Sequence, residues 1–142
     1  MSNTERPNEA AHKELYDAGI QVRRKVMGDA YVDNQLKQGV SEFMRPLQEL
    51  ATEAAWGTIW TRPGLELKQR SLIVIALLAS QGKEAELTGH IRGAVNNGAS
   101  EIEIRETLLQ AATYCGIPTG MLSFRVADKA IQQLKEEGKL PK

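Results

Sequence analysis

Two side chains one helical turn apart, Glu86 and His90 in the stretch ELTGHIRGAVNNG, are the first place in this sequence where chemistry suggests itself. Leu87, Ile91, Ala94 and Val95 recur at helical spacing, so the segment reads as an amphipathic helix with His90 at the edge of its apolar stripe. An imidazole there can give or take a proton near neutral pH, and a carboxylate one turn earlier can orient it or favour its charged form. The residues alone favour a plainer role, that of a histidine at a helix rim with one hydrogen bond. Glu84 and Glu86 cannot share a helix face, so they are no acid–base pair. His12, Glu84 and Glu86 make a poor metal set, with histidines from distant segments, and no metal site is expected. Cys115, the one cysteine, reads as a small buried side chain and excludes an internal disulfide.

The elements that must carry these residues are all helical. Glu9 to Met27 has apolar residues at helical intervals and Gly28 placed to end it, and a short segment, DAYVDNQLKQG, follows. SEFMRPLQELATEAAWGTIW reads as helix beyond Pro46, with Leu47, Leu50, Ala51, Ala54 and Ala55 recurring on one side and Ser41 near its start as a cap. TRPGLELK is a break around Pro63-Gly64. RSLIVIALLASQG is apolar on nearly every side, and its length favours a buried helix over a strand. The His90 helix should end at Asn97-Gly98; Ser100 and Glu103 form a capping box that opens the next, which Gly116 and Pro118 close. A last amphipathic helix runs from about Thr119 to Glu137.

The expectation is therefore an all-α protein: a flexible tail over residues 1–8 and a single-domain bundle of six or seven helices over 9–142. Eighteen basic and eighteen acidic residues balance, which argues against nucleic acid or an anionic membrane as partner. The longest apolar run, Leu72 to Ala79, falls far short of the ~20 residues that span a bilayer. With a single cysteine and no signal-like N-terminus, a cytoplasmic setting is expected. So apolar a helix in so small a chain suggests that a second copy supplies part of its cover.

GIQVRRKVMGDAYVD (Gly19 to Asp33), AAWGTIWTRPGL (Ala54 to Leu65), RSLIVIALLA (Arg70 to Ala79), GHIRGAVNNGAS (Gly89 to Ser100) and LLQAATYCGIP (Leu108 to Pro118), taken in order, resemble the carboxymuconolactone decarboxylase family. The resemblance implies an alkylhydroperoxidase D-like helical fold, a ring-like homo-oligomer (trimer or hexamer), and a reaction without cofactor on a carboxylated lactone or related acid in aromatic degradation. The substrate supplies its own electron sink: electrons left by departing carbon dioxide run into the lactone carbonyl. The enzyme must hold the other carboxylate, stabilise the resulting oxyanion and protonate carbon. Under the resemblance His90 and Glu86 become the catalytic pair. Arg62, Arg70 and Arg92 become candidates for gripping a carboxylate, because a guanidinium binds it in bidentate fashion. Trp56 and Trp60, four apart, become walls for a flat substrate, and the Tyr114 hydroxyl a donor to the oxyanion.

Three positions depart from the family's pattern: Lys83, Met121 and Leu122 stand where arginine, asparagine and histidine are expected. A related but distinct acid, lactone or ketone is thus an open alternative to the lactone itself. The superfamily's peroxidases carry a cysteine pair ahead of the histidine; here those places hold Lys83 and Glu86, which disfavours peroxidase chemistry. A non-catalytic small-molecule-binding oligomer is the remaining alternative.

Overall fold

The computed structural model describes residues 6–38 and 41–142. Every element among them is helical: α1 (Glu9–Met27), α2 (Asp29–Gln38), α3 (Arg45–Leu50), a π-helix (Ala51–Ile59), α4 (Leu67–Ser80), α5 (Glu84–Asn96), α6 (Glu101–Cys115) and α7 (Ile117–Glu136). The all-α expectation is met. Of the tail expected over residues 1–8, residues 1–5 lie outside the described residues, and Asn8, with φ of 60°, leads into α1. The chain forms two compact units, Met1–Gly64 and Leu65–Lys142.

In the first unit α1 packs on the π-helix, and α3 runs directly into it. Pro46 sits in the first turn of α3, where its missing N–H costs nothing. Ser41 caps the turn before that helix, its hydroxyl accepting from the Met44 N–H at 3.2 Å, whereas Met44 itself occupies the N-cap position. Beyond Leu50 the ladder widens to i→i−5: the Trp60 N–H reaches the Ala55 carbonyl at 3.0 Å. The Thr58 hydroxyl likewise donates to the Glu53 carbonyl at 2.9 Å.

The buried face is not the one that carries the leucines. Leu47 and Leu50 are exposed, as are Ala51, Ala54 and Ala55, while Thr52, Glu53, Trp56, Gly57 and Trp60 are buried. Burial recurs every four residues. Backbone contact explains why. A Cβ on Gly19 would lie 2.1 Å from the Thr52 carbonyl oxygen and 2.7 Å from the Gly57 nitrogen, and one on Gly57 would lie 2.4 Å from the Leu15 carbonyl oxygen. The two helices touch main chain to main chain, which only glycine permits.

In the second unit α4 and α5 are antiparallel neighbours. The Lys83 N–H donates to the Leu78 carbonyl at one end, and Asn97 Nδ2 donates to Ser71 Oγ at 2.9 Å at the other. Ser100 accepts from the Glu103 N–H at 3.1 Å, and Glu103 accepts from the Ser100 N–H at 2.8 Å, completing the expected capping box of α6. Gly98 takes the positive φ (90°) that ends α5, and Asn97 does not. Ile75, Leu87, Ile91, Ile104, Leu108 and Leu134 form the core between α4, α5, α6 and α7. Lys68–Glu103 at 3.0 Å and Lys135–Glu101 at 2.9 Å tie its helices at the rim.

Gly19→Ala is expected to destabilise the protein by about 3 kcal/mol, because main chain cannot yield as a flexible side chain does. Gly64→Ala, with open space around its Cβ, should stay within ~0.5 kcal/mol of the parent. Urea midpoints at one fixed protein concentration compare the two.

Candidate active site

α5 places its apolar residues Leu87, Ile91 and Ala94 in the core, which leaves His90 at the margin, half-buried with its Nδ1 fully enclosed. Glu86 lies one turn toward the N-terminus and is exposed. An imidazole with one nitrogen enclosed and its ring partly accessible is held in orientation while still open to a proton acceptor.

Arg92 lies two residues beyond His90 and so faces away from it. Its guanidinium forms a two-pronged pair with Glu137 near the end of α7: Nη1 meets Oε2 at 2.9 Å, and Nη2 meets Oε1. Gripping a substrate carboxylate with Arg92 would mean breaking that pair. Arg70 stands near the start of α4 with its Nε buried. The Ser71–Asn97 bond fixes that end of the helix pair, and from Asn97 back to His90 is roughly 10 Å of axis. Tyr114 is 81% exposed and lines, with Leu72, Ile73, Ala76, Thr107 and Gln110, an open groove of about 520 Å³ between α4 and α6.

In the first unit Trp56 and Trp60 stack on each other, ring centroids 4.6 Å apart and planes 24° from parallel, and both are buried. They share a face as their spacing predicts. Arg62 is exposed in the turn that follows, its N–H bonded to the Ile59 carbonyl at 3.0 Å. Lys83, Met121 and Leu122, the departures from the expected pattern, are all exposed, Lys83 just ahead of α5 and the other two on α7.

One expectation needs correction. Cys115 is exposed, the last residue of α6, and not a buried side chain. His12 meets Glu53 on the π-helix, Nδ1 to Oε2 at 2.9 Å. Arg6 approaches the other oxygen of Glu53 at 2.9 Å. Among the described residues no cluster of three or more His, Cys, Asp or Glu side chains is set to hold a metal. Sequence reasoning passed over two buried charged residues, Glu53 and Arg23. The available signal for Arg23 was its place four residues after Gly19, on the face that packs inward.

The model of the carboxymuconolactone decarboxylase family matches residues 45–129. The chain belongs to this family. It is 48% identical to the nitrosuccinic acid decarboxylase of Metarhizium robertsii over 92% of its own length and 91% of that protein. It is 34% identical to the 4-carboxymuconolactone decarboxylase of Acinetobacter baylyi over 86% of its length and 90% of that protein. Like those carboxymuconolactone decarboxylase relatives it is a carboxy-lyase, and among its described residues no helix is long and apolar enough to cross a membrane.

The Arg92 guanidinium, mainly by direct hydrogen bonding, holds the Glu137 carboxyl below the usual glutamate range. A depressed folded-state pKa stabilises above the unfolded value and is lost as pH falls through the folded one. Glu137→Gln should therefore melt below the parent at pH 7. The gap should start to close below about pH 4.3, where an unperturbed glutamate protonates. Melting temperatures taken across that range check it.

Proposed function

We propose that this chain decarboxylates a small dicarboxylic acid whose departing carboxylate sits next to a built-in electron sink, with nitrosuccinic acid the foremost substrate. The observation that carries the reading is the 48% identity to a nitrosuccinic acid decarboxylase over nearly the full length of both chains. The chemistry asks little of the protein. The bond to the departing carboxylate breaks, its electron pair moves into the nitro group to give a nitronate, and carbon dioxide leaves. A proton then adds to the same carbon and the nitro group is restored. The carboxymuconolactone reaction has the same logic with a lactone carbonyl as the sink, and the 34% identity to that enzyme keeps 4-carboxymuconolactone as the second reading. The exposed Met121 and Leu122, apolar where the lactone enzymes' pattern has polar side chains, favour the first.

His90 supplies the proton to carbon. Its half-buried position suits that task, and Glu86 stands one turn earlier. Arg70 on α4 is left to steady the acid's negative charge, since Arg92 is engaged by Glu137. Tyr114 on α6 contributes a hydroxyl.

The chain works as a homo-oligomer, a trimer or hexamer. Ile73 and Leu77 on α4 are 47% and 53% exposed and continue the apolar groove that Tyr114 lines, a surface that a second copy would cover.

With nitrosuccinate as substrate and a no-enzyme control, proton NMR should show rapid turnover by the parent. His90→Ala should lose about a hundredfold in kcat, within the usual range for a general acid. Retention of more than a tenth of the parent rate would place the proton donor elsewhere. Leu77→Glu should lower the mass measured by light scattering to that of smaller species, with helical content retained; an unchanged mass would remove this face from the assembly.

A further inference from the structure

Arg23 is the most fully buried arginine of the chain, 8% exposed, on the face of α1 that also buries Gly19, Val26 and Met27. Its Nη1 donates to Gln48 Oε1 at 3.1 Å and toward Thr52 Oγ1 at 3.4 Å. The Thr52 hydroxyl spends its own proton on the Gln48 carbonyl at 2.8 Å, so its oxygen is free to accept. Both partners are neutral. Among the described residues no Asp or Glu pairs with Arg23, and Nη1 is the nitrogen of its guanidinium that donates to these neutral partners.

The charges around it are arranged the other way. Arg24, next in sequence and a third exposed, is paired with both Asp29 at 3.2 Å and Asp33 at 2.8 Å. Buried Glu53, adjacent to Thr52, is paired with Arg6 and His12. Glu49 is taken by Arg6 and Arg45, and Asp17 by Lys13. Exposed pairs contribute little to stability, whereas an uncompensated buried charge is among the costlier things a fold can hold. Each carboxylate of this unit that bonds a cation bonds one other than Arg23. Desolvation correspondingly pulls the Arg23 guanidinium below its ordinary range, with Tyr31 and Tyr16 opposing the shift. Arg23 also faces the junction of α3 and the π-helix, and a stretch of π-helix is itself a frequent companion of functional sites.

We propose that Arg23, backed by Gln48 and Thr52, is a receptor for a carboxylate group of a small acid, which docks on the Nε–Nη2 edge in bidentate fashion. Nη1 is pinned by two neutral acceptors, so the fork is oriented before the ligand arrives, and the acid supplies the negative charge that the chain withholds. The site rests on the first unit alone and stands whether or not His90 delivers the proton. Its ligand is either the acid that is turned over or a second acid that binds without reacting.

The probe is succinate, an unreactive dicarboxylate, titrated at constant ionic strength into the intact protein. The expected result is saturable binding by the parent, weakened about tenfold or more in Arg23→Met and less in Arg23→Lys, which keeps the charge without the fork. Without ligand, Arg23→Met should melt at or above the parent temperature, because it replaces an unpaired buried charge with an apolar side chain of similar length. A purely structural arginine predicts the opposite, a lower melting temperature with succinate binding unchanged. Gln48→Leu, which frees Nη1 but leaves the charge, is the second variant and should weaken succinate binding without abolishing it. Competitive inhibition of turnover by succinate, with KM raised in Arg23→Met, identifies the ligand as the substrate; non-competitive binding at Arg23 identifies a second acid. Failure of succinate to bind the parent, or equal affinity for the parent and Arg23→Met, overturns the receptor. Absence of turnover with succinate binding intact overturns only the reaction.

Discussion

The first unit depends on one contact, the approach of α1 and the π-helix until their main chains touch at Gly19 and Gly57. At that distance no ordinary side chain separates the helices, and the residues one turn away on each, Arg23 and Thr52 among them, are carried inward with them. The burial of Glu53 and Thr52 goes with that fit.

The second unit solves a different problem. Its core is conventional, branched aliphatic side chains from four helices, and its polar ties lie at the rim. α5 carries Leu87, Ile91 and Ala94 into that core, and His90 falls at the margin of their stripe, half-covered without entering the core. Precision at such a position comes from the helix and not from a loop, which suits a group that must present a proton in one direction.

What could be read from the sequence was whatever is encoded within a few residues. The Ser100–Glu103 box, the Gly98 and Gly116 terminations, the Pro63-Gly64 break and the edge position of His90 are local facts, and each appears where its pattern places it. The π-helix was not legible, because its period is imposed by a neighbour nearly forty residues away in sequence, at Gly19. Arg23 and Glu53 were missed for a related reason: a charged residue is exposed by default, and only the tertiary fit overrules that. Cys115 was misjudged because its apolar composition outweighed its place at a helix end. Arg92 was singled out for its type, and its pairing with Glu137, forty-five positions on, had no local signature.

Both tryptophans of the chain, Trp56 and Trp60, belong to the first unit and stack within the π-helix. The protein therefore carries an optical label confined to one half of itself. Emission at indole wavelengths, and the exciton couplet expected of two rings at that separation, arise in the π-helix, while the helix that bears His90 has no indole of its own. Melting followed by indole signal and by backbone circular dichroism thus separates the two units without any engineered probe.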